Sequence, residues 1–148
     1  MEKKIIDTRE YVSMLRDLTE NGKEVGMPVF GNSMSPFLVN ERDYIYFKKP
    51  DRELRPGDMV FYQRRNGQFI MHRICKVKPE GYYIIGDAHT VIEGPVLEEQ
   101  IFALIYKVRR KGKVIGPEDF WWKFFQNVWI HVIPIRPIFH KLYRLVKR

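Results

Sequence analysis

A serine flanked by a glycine and a proline opens the list of residues that could do chemistry: Gly31-Asn32-Ser33-Met34-Ser35-Pro36. A serine hydroxyl is a poor nucleophile at neutral pH and needs a neighbouring base to take its proton. It also needs donors aimed at the charge that develops on the attacked carbonyl. Gly31 lets backbone and substrate approach closely, and Pro36 stiffens the turn that follows. The same pattern, alone, also suits a plain structural turn. An imidazole could serve as that base, because it titrates near neutrality without deep burial, and His72, in Met71-His72-Arg73-Ile74, is one such residue. Alone, it also reads as a strand histidine facing solvent. Asp87, in Ile85-Gly86-Asp87, is a candidate to orient that imidazole, or equally a turn former after Gly86.

These runs follow one another in order over residues 31–87, with Arg55-Pro56-Gly57-Asp58-Met59-Val60 between them. Together they resemble the boxes of the type I signal peptidases and the related self-cleaving repressors. The resemblance implies Ser33 as nucleophile. It also implies the Ser–His branch, found in endoplasmic-reticulum, archaeal and some Gram-positive members, because His72-Arg73 stands where the housekeeping bacterial enzymes carry lysine. By the same likeness Asp87 would orient His72. Gly31 occupies the place of a frequent hydroxyl donor, so the oxyanion hole would rest on the backbone N–H groups of Ser33 and Asn32. Met34 and Pro36 would border the substrate, with Met34 packed beneath the nucleophile, and Ser35 has no role. The last box departs from the family: Gly86-Asp87-Ala88-His89 replaces an amide side chain with Ala88 and adds a second imidazole, His89.

The elements that must hold these residues are mostly strands. Apolar stretches alternate with turn signals from Glu24 to Ile115, which predicts a mainly β domain. The expected strands are Val25–Phe30, Tyr44–Phe47, Met59–Gln63, Gln68–Val77, Tyr82–Ile85 and Ile101–Val108. Asn66-Gly67 predicts a tight hairpin and Arg55-Pro56-Gly57-Asp58 a turn. A short helix is expected from Asp7, as its cap, to Glu20, with Tyr11, Met14, Leu15 and Leu18 on its apolar face. Two segments are expected: a signal-peptidase-like β-rich domain with its N-terminal helix over residues 1–116, and an aromatic, basic, amphipathic helical tail over 117–148.

That tail decides the choice of partner. The chain has 148 residues and a net charge of +8. Residues 120–148 hold six basic residues, no acid and all three tryptophans. Pro117-Glu118-Asp119 predicts a helix start, and Pro134 its end. Pro137 predicts a second short helix with Ile138, Leu142 and Leu145 on one side. A membrane surface is the expected contact, with Trp121, Trp122, Phe125 and Trp129 facing it. The alternative is that these aromatics complete the core of the β domain or meet a protein partner. Nucleic acid is disfavoured, since the basic residues are not expected to interleave with aromatics on a strand platform. No apolar run is long enough for a signal peptide or an ordinary transmembrane helix, so a cytoplasmic or peripheral-membrane location is expected. No cofactor and no metal site are expected; one cysteine, Cys75, supplies too little thiolate for structural zinc.

The function this predicts is a serine endopeptidase that cleaves a leader, signal or precursor peptide through an acyl-enzyme. The alternative is a non-catalytic or self-processing regulatory or interaction module of the same fold. Residues 1–23 hold a single helix, too little for a helix-turn-helix unit.

Overall fold

The structure is a computed structural model that describes residues 8–133, 136–138, 141 and 145. It is mainly β: one eight-stranded antiparallel sheet of β1 (Val25–Pro28), β2 (Tyr44–Lys48), β3 (Met59–Gln63), β4 (Phe69–Lys78), β5 (Gly81–Ile85), β6 (Glu93–Val96), β7 (Ile101–Arg110) and β8 (Lys113–Ile115). Their order is β1-β2-β7-β3-β4-β5-β6, with β8 paired to β7. Helix α1 spans Thr8–Glu20 and α2 spans Phe120–Asn127, and 3-10 turns lie at Glu98–Gln100 and Trp129–His131.

Six strands fall where apolar alternation puts them. β6 and β8 are additional. Each is short, and β6 carries Gly94-Pro95, residues that strands usually exclude except at edges; β6 is the edge strand beyond β5. The two turn signals hold. Gly67 N–H donates to the Arg64 carbonyl at 2.8 Å in the β3–β4 hairpin, and Asp58 N–H donates to the Arg55 carbonyl at 3.1 Å. Gly57 at that turn has a φ of +98°, and a Cβ there would stand 2.7 Å from the Gln126 carbonyl oxygen of α2.

Successive strand residues face opposite sides of the sheet. Met59 and Phe61 therefore join one apolar cluster, while Val60 and Tyr62 join another on the far face. The larger cluster is covered by α1 and α2. On α1 the buried face is Val12, Leu15 and Thr19, one heptad of helical spacing. The expected face is corrected here: Met14 and Leu18 are exposed, because the stripe that meets β1 and β7 is rotated towards Val12. Asp7 lies outside the described residues.

α2 starts where the sequence places it. The Asp119 carboxylate accepts from the N–H groups of Trp121 and Trp122 at 2.8 and 3.1 Å, an N-cap. The helix ends at Asn127, earlier than Pro134 suggests, because the chain tightens into the 3-10 turn that seats Trp129. Trp122, Phe125 and Trp129 are buried in the larger cluster, against Phe37 and one another. They do not face a membrane. Burying each ring against the sheet is worth roughly 2–3 kcal/mol, and the Trp129 indole N–H adds a directional bond to the Asp87 carbonyl. Of the four residues expected at a membrane only Trp121 is exposed, beside exposed Phe120 and Val128. The helix expected after Pro137 falls largely outside the described residues. Among the described residues no helix is long and apolar enough to cross a membrane.

Basic and aromatic side chains do interleave elsewhere. On the outer face of β2 and β7, Lys107 lies 4.8 Å from the Tyr46 ring, Arg109 5.0 Å from Tyr44 and Lys48 4.9 Å from Tyr106. The sequence obscures this because the partners are some sixty residues apart and meet only through β2–β7 pairing.

Candidate active site

Ser33 sits on the loop that leaves β1. Several backbone bonds shape that loop. Ser35 N–H donates to the Asn32 carbonyl at 3.1 Å, and Leu38 N–H to the Met34 carbonyl at 2.9 Å. Gly31 N–H donates to Asn40 Oδ1 at 2.8 Å. From outside, Ala88 N–H donates to the Ser33 carbonyl at 2.9 Å, which ties the serine to the loop after β5. Buried Asp43 closes the segment, accepting from Val39 N–H, Lys111 N–H and Arg42. Burial pushes its carboxyl up, but those hydrogen bonds outweigh burial and hold it below its ordinary value.

His72 lies on β4, opposite Val60 of β3. Its neighbour Arg73 lies opposite Met59 and so faces the other way. Ser33, His72 and His89 line one groove, whose volume is about 600 Å³. Met27, Val29 and Phe30 wall it from the β1 side and Phe69, Ile70 and Met71 from the β4 side, with Arg64 and Gln68 at a polar end. Both walls offer backbone. Among the described residues β1 pairs only with β2, and Phe69–His72 of β4 pair only with β3, because β5 begins its register at Arg73.

The polar atoms converge over Gly86. A Cβ on Gly86 would stand 2.6 Å from the Ser33 carbonyl oxygen, 2.9 Å from His89 Nδ1 and 3.0 Å from His72 Nε2. Only glycine leaves room for both imidazoles and the serine loop. Among the described residues no hydrogen bond joins the Ser33 hydroxyl to either imidazole. The Ser33 and Asn32 N–H groups likewise donate to no protein acceptor among these residues, which leaves both available as oxyanion donors. Met34 is buried in the core and borders the groove from below. Pro36 does not line the groove; its carbonyl accepts from Arg110, which draws it to the β7 side.

Asp87 does not orient His72. Its two oxygens accept from Arg73 Nε and a terminal nitrogen at 2.8 and 2.9 Å, and both side chains are buried. The reason is register. Ile85 pairs with Arg73, and Asp87, two residues on, falls on the Arg73 side of the strand. A bidentate guanidinium then outcompetes an imidazole on the opposite face. Arg73 also donates to the Gly57 carbonyl at 2.9 Å. The ion pair thus joins the Arg55–Asp58 turn to the loop carrying Gly86.

The tail braces the same loop. Trp129 Nε1–H donates to the Asp87 carbonyl at 2.8 Å. Buried Arg136 donates to the carbonyls of Gly86, His89 and Trp129 at 3.0, 2.9 and 3.0 Å. Burial pushes its guanidinium below its ordinary value. Residues of the tail are therefore structural partners of the site, a role that a basic, aromatic composition does not reveal.

His72 is pushed down to about 4, chiefly by burial and then by His89, with Glu93 pulling the other way. It is neutral at pH 7 and able to accept a proton. Were this imidazole a catalytic base, the acid limb of kcat/KM would fall near pH 4 rather than near the ordinary imidazole value of about 6.5. Stability should respond in the matching direction. As pH falls through the unfolded value of about 6.5 towards 4, the unfolded chain binds the proton first, and folding loses about 3 kcal/mol. Urea unfolding of wild type and His72→Gln between pH 7.5 and 4 measures this. Identical pH dependence in the two proteins would reject the buried, neutral imidazole.

Comparison with protein-family models, curated proteins and solved structures finds no match to this chain.

Proposed function

We propose that the protein is a serine endopeptidase of signal-peptidase-like type, acting on a leader, signal or precursor peptide. The observation that carries this reading is the shared groove: Ser33 and a neutral His72 line one apolar cleft between two unpaired strand edges. An extended peptide can add a strand to such edges and bring its scissile bond to Ser33. The apolar walls suit small or aliphatic side chains beside the cut.

The chemistry follows from the groups in place. Ser33 Oγ attacks the carbonyl carbon while His72 Nε2 takes the hydroxyl proton. The oxyanion is held by the Ser33 and Asn32 N–H groups. Collapse breaks the C–N bond, and His72 gives its proton to the leaving amine. Water, deprotonated by His72, then cleaves the ester and restores Ser33. In this reading peripheral membrane contact falls to Phe120, Trp121 and Val128, the exposed part of the tail.

A serine-reactive fluorophosphonate probe tests the assignment. Wild type is expected to become labelled, with labelling lost in Ser33→Ala and strongly slowed in His72→Gln. Equal labelling of wild type and Ser33→Ala would reject the nucleophile. No labelling of folded wild type would favour the non-catalytic module instead.

A further inference from the structure

The site contains an imidazole that the mechanism above does not use. His89 Nδ1 and His72 Nε2 lie 2.9 and 3.0 Å from the same point above Gly86, and their ring centroids are 5.1 Å apart with planes at 87°. Both rings line the groove with Ser33. His89 is firmly held for a loop residue. Its N–H donates to the Gly86 carbonyl at 2.9 Å, and its own carbonyl accepts from buried Arg136 at 2.9 Å. Meanwhile the carboxylate expected beside His72 is committed to Arg73.

We infer that His89 is a positioning residue of this site: it faces His72 beside Ser33 and governs the His72 proton, while Asp87 is committed to Arg73. This rests on the peptidase reading for its catalytic meaning, though not for the pairing itself. The His72 ring becomes an imidazolium when Ser33 gives up its proton. A charged His89 opposes that imidazolium and returns the proton to the leaving amine. At this ring spacing a positive charge on one imidazole disfavours a positive charge on the other. The other charged groups facing His72 are Glu93 from β6 and Arg64 from the end of β3. They hold each other through two hydrogen bonds at 3.0 and 2.8 Å, and Tyr62 caps Glu93 at 2.8 Å. Their opposite charges act on His72 in opposite directions, which leaves His89 as the unbalanced neighbour.

The test is a histidine-detected NMR titration of the full chain, run on wild type, His89→Asn and His89→Gln. The His72 midpoint is expected to rise towards the ordinary value in both variants, by at least about half a pH unit. The acid limb of kcat/KM should move by the same amount. Two variants guard against one that fails to fold, and the His72 signal itself reports folding. An unchanged His72 midpoint in a folded variant overturns the inference. A shifted midpoint with no peptidase activity or probe labelling in wild type would uphold the pair and reject the peptidase reading.

Discussion

On the peptidase reading proposed above, Ser33→Ala and His72→Gln are each expected to lower kcat by on the order of 10⁴- to 10⁶-fold, and the double variant by no more than the worse single one. The losses do not add because one removes the nucleophile and the other the base that activates it; either change ends the same step. Ser33→Ala should cost little structure. The Ser33 side chain is half-buried and makes no hydrogen bond among the described residues, so Ser33→Ala is expected to stay within about 0.5 kcal/mol of wild type. Thermal unfolding beside single-turnover kinetics separates the two effects. A Ser33→Ala protein that retains kcat within tenfold of wild type would exclude the acyl-enzyme route. Additive losses would place Ser33 and His72 in different steps.

Asp87→Ala should behave in the opposite way, as a folding defect. Removing the carboxylate strands the Arg73 guanidinium in a site where its side chain is 1% exposed. Breaking a buried pair by deleting one partner costs about 3–5 kcal/mol, against a total of about 5–15 kcal/mol for a domain. Denaturant unfolding should show that loss, together with release of the Gly86–His89 loop. Replacing both partners, Arg73→Met with Asp87→Leu, should recover most of it, because no uncompensated charge remains. An aspartate that orients a base predicts something else: near-wild-type stability, a large loss in kcat, and no rescue by the double substitution. Observing that second pattern would reject the structural role assigned to Asp87.

Much of the site was legible because strand sequence is periodic. Apolar alternation located six strands, and the Gly67 and Gly57 turns were announced by residues that tolerate positive φ. Ser33 and His72 fall on one groove as their motifs imply. Asp87 was misassigned for a reason the same periodicity holds: neighbours His72 and Arg73 must face opposite sides, and Asp87 shares its side with Arg73. That inference needed the β4–β5 register, which begins at Arg73–Ile85 and is interrupted by a bulge before Lys76. His89 was visible as a second imidazole, but not as a partner of His72.

The tail shows the limit most clearly. Composition established three tryptophans, a helix start at Asp119 and a basic surplus. It did not establish which surface the aromatic face would cover. A membrane and a sheet offer an apolar ring the same driving force, so hydrophobicity alone does not distinguish them. Tertiary structure decides it through directional contacts: the Trp129 indole N–H finds the Asp87 carbonyl, and Arg136 finds three carbonyls in and beside the loop carrying His89. By itself the sequence determined a β-rich frame and the residue types able to do serine chemistry. The fold alone decided which carboxylate meets which cation, and that the tail braces the site.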